Sequence, residues 1–123
     1  HLRLATFVLA SFCLVALTSA AFVHPGVLVN RGQLDFVKAK IAQREEPWYS
    51  NFRIVRDGKF GRSPNTFKPY AFVECGFASN PNPNVGCEQE LDDGARAYTQ
   101  ALLGYYTGNS TYYRNAIAIL DGW

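Results

Sequence analysis

Apolar residues in this chain first mass together and then space out. Residues 4 to 17 are almost unbroken apolar sequence, whereas beyond Pro25-Gly26 apolar positions recur at intervals that fit one face of a helix. Leu34, Val37 and Ile41 fall at i, i+3 and i+7, with Lys38, Lys40 and Arg44 on other faces, which predicts an amphipathic helix. Asn30 offers a side-chain oxygen to the free amides of the first turn, and Gln33 three residues later completes a capping-box pattern. The helix should therefore run from about Arg31 to Arg44 and stop before Pro47.

The helical pattern resumes at Glu88. Leu91, Ala95, Tyr98, Leu102 and Tyr105 follow the period of about 3.6 residues until Gly108, a residue suited to close a helix. Asp92 and Asp93 lie near the start of this helix, where they suit its dipole. A third helix starts near Asn109 or Ser110, with Tyr113, Ala116, Ile117 and Leu120 on one face. So short a connection makes the two helices antiparallel neighbours, an αα-hairpin. The fold class expected is all-α. A hairpin leaves one apolar side open until further helices cover it, and the run still reads as helix at Trp123, so we expect a domain that continues beyond that residue.

Between these helical blocks the signals change. Trp48, Tyr49 and Phe52 form a short aromatic segment that packs the first helix onto the rest of the domain, with a ligand platform as the alternative. From Arg56 to Asn84 the chain carries Gly58, Gly61, Pro64, Pro69, Gly76, Pro81 and Pro83, too close together for a helix and too irregular for regular strands. A structured loop of this length is uncommon in a compact domain and is usually functional or disordered.

The apolar opening segment has the layout of a secretory signal. Arg3 precedes it and the small residues Thr18, Ser19, Ala20 and Ala21 follow it, which places cleavage after Ala20 or Ala21. A membrane anchor competes, because Leu4 to Val23 reaches about the 20 residues needed to cross a bilayer. Thr6, Ser11, Thr18 and Ser19 interrupt that stretch, and Pro25-Gly26 would end a helix soon after, so residues 1–20 are expected to be a signal peptide. After its removal no stable membrane insertion is expected. Residues 21–123 are then the N-terminal portion of a secreted helical domain.

Cleavage also removes Cys13, one of three cysteines, and leaves Cys75 and Cys87 in an oxidising compartment. A disulfide between them is the natural inference, with two free thiols as the alternative. It would staple the loop and stabilise by about 3 kcal/mol in the chain-entropy model. Zinc fits poorly, since His24 is the one mature-chain histidine and lies far off in sequence. No metal and no cofactor are expected. The formal net charge of +2 is spread along the chain, without the basic patch or stripe of a nucleic-acid surface. In a secreted chain the sequon Asn109-Ser110-Thr111 marks Asn109 as a candidate N-glycosylation site on an exposed turn.

From Glu74 the chain reads ECGFASNPNPNVGCEQELDDGARAYTQALLGYYTGNSTYYRNAIAILDGW. The order of a cysteine-bounded Asn/Pro loop, an acidic helix start, A-x-A-Y, T-G-N, Y-x-x-x-A-I-x-I-L and a closing Trp resembles fungal secreted proteins classed with alginate lyases of the α/α-toroid type. The earlier stretch FVHPGVLVNRGQLDFVKAKIAQREEPWYSNF is similar to the start of such domains. The resemblance implies part of an incomplete (α/α) toroid with a long cleft, and β-elimination on an acidic polysaccharide, alginate or glucuronan. That chemistry needs neutralisation of the uronate carboxylate, a base for the C5 proton and an acid for the leaving O4.

In such lyases these roles fall to Asn or Arg, His and Tyr in later helices, so no catalytic residue is assigned within residues 1–123. His24 is expected to be structural. The resemblance puts Asn80, Asn82 and Asn84 in a lid-like loop over the cleft and Trp123 beside the substrate channel. Those asparagines could also simply build turns, and Trp123 could be core. Arg53, Arg56, Lys59, Arg62 and Lys68 would either steer a polyanion or form a solvated surface. A non-catalytic extracellular carbohydrate-binding helical module is the alternative function. A tetratricopeptide-like adaptor fits less well, because no period of about 34 residues is present.

Overall fold

The computed structural model describes residues 28–62, 66–76 and 84–123. The expected signal peptide (residues 1–20), His24, Asn80 and Asn82 lie outside the described residues. Within them the chain forms α1 (Arg31–Ala42), α2 (Trp48–Asp57), the two-residue strands β1 (Glu74–Cys75) and β2 (Asn84–Val85), α3 (Cys87–Thr107) and α4 (Ser110–Gly122). The architecture is predominantly helical, as expected.

Local chemistry sets the limits of α1. The Gln33 amide donates to Asn30 Oδ1 and the Asn30 amide to Gln33 Oε1, both at 2.9 Å, so the capping box is complete. At the other end the Arg44 amide donates to the Ile41 carbonyl and the Glu45 amide to the Lys40 carbonyl, each at 3.0 Å. These two bonds make a Schellman turn, and its left-handed position is filled by Arg44 at φ 54°. Lys40 pairs with Glu45 at 2.7 Å and lies over the rings of Phe36 and Trp48, closing the corner between α1 and α2.

The short aromatic segment after Pro47 belongs to a helix that the sequence signals did not predict. Trp48, Phe52 and Val55 recur at i, i+4 and i+7 in α2. A proline can begin a helix as readily as it ends one, because its missing N–H falls where no intrahelical partner exists. Trp48 meets Phe36 edge-on at 5.7 Å, so the expected role in packing α1 holds for this ring.

The long loop after α2 contains one regular feature, the antiparallel pairing of β1 and β2, with Glu74 opposite Val85 and Cys75 opposite Asn84. The Cys75–Cys87 disulfide is present, with a Cα–Cα distance of 5.3 Å. It ties β1 to the first residue of α3.

The hairpin of α3 and α4 is the centre of the structure. Gly108 closes α3 in the left-handed conformation and Asn109 caps α4. The buried seam carries Ala97, Gln100, Leu103 and Gly104 from α3 with Ala116 and Ile119 from α4. The expected apolar stripes are displaced from it: Leu91 is 68% exposed, Ile117 56% and Leu120 67%, while Ile119 is buried. Leu103 and Ile119 fill the seam and Gly104 leaves room for the Tyr113 ring against α3, while Leu91, Ile117 and Leu120 stay outside it.

Candidate functional site

Gln100 is fully buried, and a buried amide must find partners. Its Nε2 donates to the Phe60 carbonyl at 2.7 Å, and its Oε1 accepts from Asn115 Nδ2 at 3.1 Å. One side chain thus ties the turn after α2 to both helices of the hairpin. That turn brings Lys59 and Phe60 alongside α3, and the chain then returns along the same helix at residues 66–68.

The strongest concentration of polar chemistry lies two turns into α3. Asp93 is 4% exposed, so its carboxylate needs compensation. Its Oδ2 accepts from Trp123 Nε1 at 3.0 Å and from the Lys68 amide at 3.3 Å. Its Oδ1 stands 3.8 Å from Arg96 Nε, an ion pair too long for a hydrogen bond. Arg96 Nε is itself buried without a hydrogen-bond partner, while Arg96 Nη1 donates to the Lys59 carbonyl at 3.2 Å. The guanidinium also lies 5.6 Å from the centre of the Phe60 ring.

Beside this cluster opens a pocket of about 190 Å³, lined by Thr66, Phe67, Lys68, Glu88, Gln89, Asp92, Asp93 and Arg96. Carboxylates, an amide, a hydroxyl and a guanidinium face one small space with an aromatic ring at its wall. This mix of donors and acceptors suits a polyhydroxylated ligand better than an apolar one. Among the described residues no group of three or more His, Cys, Asp or Glu side chains could hold a metal ion.

Of the residues singled out in the sequence, Trp123 meets this site: its indole is held by Asp93 and the side chain is 37% exposed. Asn84 opens β2, exposed, opposite Cys75, and among the described residues no hydrogen bond joins it to Asp93 or Trp123. Asn109 is exposed at the opposite end of α4. Asp93, Arg96 and Gln100 were not anticipated. A signal existed, because Asp93, Ala97, Gln100 and Gly104 recur at i, i+4, i+7 and i+11, opposite the leucine stripe.

The basic run from Arg53 to Lys68, which begins within α2, is largely committed to internal partners. Arg56 Nε donates to Asp57 Oδ1 at 2.7 Å and Nη2 to Oδ2 at 2.9 Å, and this hydrogen bonding from Arg56 holds the Asp57 carboxyl below its ordinary range. Lys59 pairs with Asp92, and Arg62 Nε donates to the Asp57 carbonyl. Arg53 and Lys68 stay exposed. On the far side of α3, Tyr105 donates to Asp35, and that bond, followed by burial, raises its hydroxyl above the ordinary tyrosine value.

Among the described residues no helix is long and apolar enough to cross a membrane. No family model, curated protein or solved structure matched the chain.

Proposed function

We propose that this chain is the N-terminal portion of a secreted polysaccharide lyase that cleaves a uronic-acid polymer, alginate or glucuronan, by β-elimination. The observation that carries the proposal is the joining of Trp123 to the buried Asp93 beside a polar pocket. Trp123 is the residue that the family resemblance sets next to a substrate channel, and an indole anchored through its N–H keeps a ring edge fixed where a sugar would lie. The Cys75–Cys87 disulfide supports passage through an oxidising compartment, and the helical hairpin is compatible with a toroid built from such pairs.

The chain's own residues serve holding rather than chemistry in this proposal. Asp93 and Arg96 position Trp123 and the 66–68 segment, while Gln89, Asp92 and Lys68 offer hydrogen bonds to hydroxyls or to a uronate. The base and acid of the elimination belong to groups outside residues 1–123, and the described residues contain no histidine.

One observation favours the second reading, a non-catalytic extracellular carbohydrate-binding module. Two of the five cations expected to draw in a polyanion, Arg56 and Lys59, are paired with carboxylates, and three acidic side chains line the pocket. Incubating the secreted protein with alginate, glucuronan and a neutral glucan separates the two. Ultraviolet absorbance of unsaturated uronate, rising with one uronan, is expected of the lyase. Retained binding with no unsaturated product from any uronan would favour the binding module.

A further inference from the structure

The turn between α3 and α4 presents one exposed side chain that also caps a helix. Asn109 adopts an extended backbone, φ −80° and ψ 113°, and its Oδ1 accepts the Thr111 amide at 2.9 Å, which caps α4. Among the described residues no acceptor is recorded for its Nδ2, and the residue is exposed. Thr111, the hydroxyl residue two positions on, is held locally: its Oγ1 accepts from Arg114 Nη2 at 3.0 Å, and Ser110 Oγ accepts from Arg114 Nη1 at 2.9 Å.

We infer that Asn109 carries an N-linked glycan that coexists with the helix cap, an inference that rests on the secretory reading given above. The co-reactant is a polyprenyl-diphosphate-linked oligosaccharide. A bond forms between Asn109 Nδ2 and the sugar C1, the C1–O bond to the diphosphate breaks, one of the two Nδ2 protons is lost, and the lipid diphosphate leaves. No electrons are transferred. The product amide keeps its Oδ1 lone pairs, so the hydrogen bond from the Thr111 amide survives modification.

Position gives the glycan a consequence. α4 has 13 residues, and at a rise of about 1.5 Å per residue its ends lie about 20 Å apart. Trp123 and the polar pocket are at one end and Asn109 is at the other. The glycan therefore leaves the pocket open and keeps the hairpin tip facing solvent in any larger assembly.

The test is expression of the full chain in eukaryotic secretory cells, both as it stands and behind a host secretory leader, read by intact mass with and without peptide-N-glycosidase. One glycan is expected in both arms, lost on digestion. Asn109→Asp keeps a capping oxygen and should be secreted with no glycan, and Thr111→Ala should lose the glycan while leaving Asn109 in place. Secreted protein with an unmodified Asn109 overturns the inference. A glycan found only behind the host leader upholds the acceptor site and shows that residues 1–20 by themselves do not act as a signal.

Discussion

Replacing Asp93 by alanine removes the acceptor shared by Trp123 Nε1 and the Lys68 amide and leaves the Arg96 guanidinium without its carboxylate. The Arg96 side chain is 13% exposed, so water can restore little of that loss. A hydrogen bond to a charged group is worth about 1.5–3 kcal/mol, and stripping one partner from a buried ion pair costs about 3–5 kcal/mol. The 3.8 Å separation weakens the pair, and the Lys68 bond is long, which brings the expected loss to about 3 kcal/mol. With a urea dependence of about 1.5 kcal/mol per molar for a domain of this size, the unfolding midpoint should fall by about 2 M. Asp93→Asn keeps an acceptor for the indole and loses the charge, so it should lie between wild type and Asp93→Ala. A loss below about 1 kcal/mol for Asp93→Ala would refute the claim that a buried polar network organises this end of α3.

Other perturbations probe the frame around the site. Arg44→Gly relieves a left-handed position that costs an L-residue about 1–2 kcal/mol, so thermal unfolding should shift upward, less what is lost with the Arg44 contact over Tyr49. Gly61→Ala would drive a methyl group into the carbonyl oxygens of Val55 and Arg56, backbone atoms that cannot swing aside, and should cost about 2 kcal/mol in urea unfolding. Gly104→Ala meets instead the Tyr113 ring, 2.8 Å from the new methyl position on a partly exposed side chain that can rotate outward, so the same assay should register a change under about 1 kcal/mol. Tyr105 has its hydroxyl raised by its bond to Asp35, so its contribution to stability is complete below the unfolded tyrosine value and is lost as pH rises through the higher folded value. Melting curves across the alkaline range should show that loss in wild type and a shallower one in Tyr105→Phe.

What could be read from the sequence depended on how local its cause was. The Asn30–Gln33 box spans four residues, and Gly108 with Asn109 stops one helix and starts the next, so both features could be placed from residue types alone. α2 escapes a reading in which Pro47 only ends a helix and Trp48, Tyr49 and Phe52 form a short aromatic packing segment, although Trp48, Phe52 and Val55 carry a helical period. On α4 the expected face holds Ala116 and Tyr113, which do meet the seam, but misses the buried Ile119; on α3 the leucine stripe lies opposite the buried line, which mixes Asp93 and Gln100 with Ala97 and Gly104 and so carries no hydrophobic period. The Asp93 cluster needed a partner 30 residues away at Trp123 and another 25 residues away at Lys68, contacts that no local pattern encodes. The charge run from Arg53 to Lys68 was ambiguous for the same reason, since Asp92 could be recognised as the partner of Lys59 only once the turn had been placed against α3.

The central proposal is that the pocket walled by Asp93, whose carboxylate holds the Trp123 indole, binds a saccharide within reach of that ring. The chain has two tryptophans, and their indole N–H resonances can be followed separately while an oligouronate or a neutral oligosaccharide is titrated in. The account predicts that the Trp123 signal moves saturably with an oligouronate, that Trp48 stays in place, and that Asp93→Asn weakens the response. A Trp123 resonance indifferent to every saccharide, or a shift confined to Trp48, would contradict it.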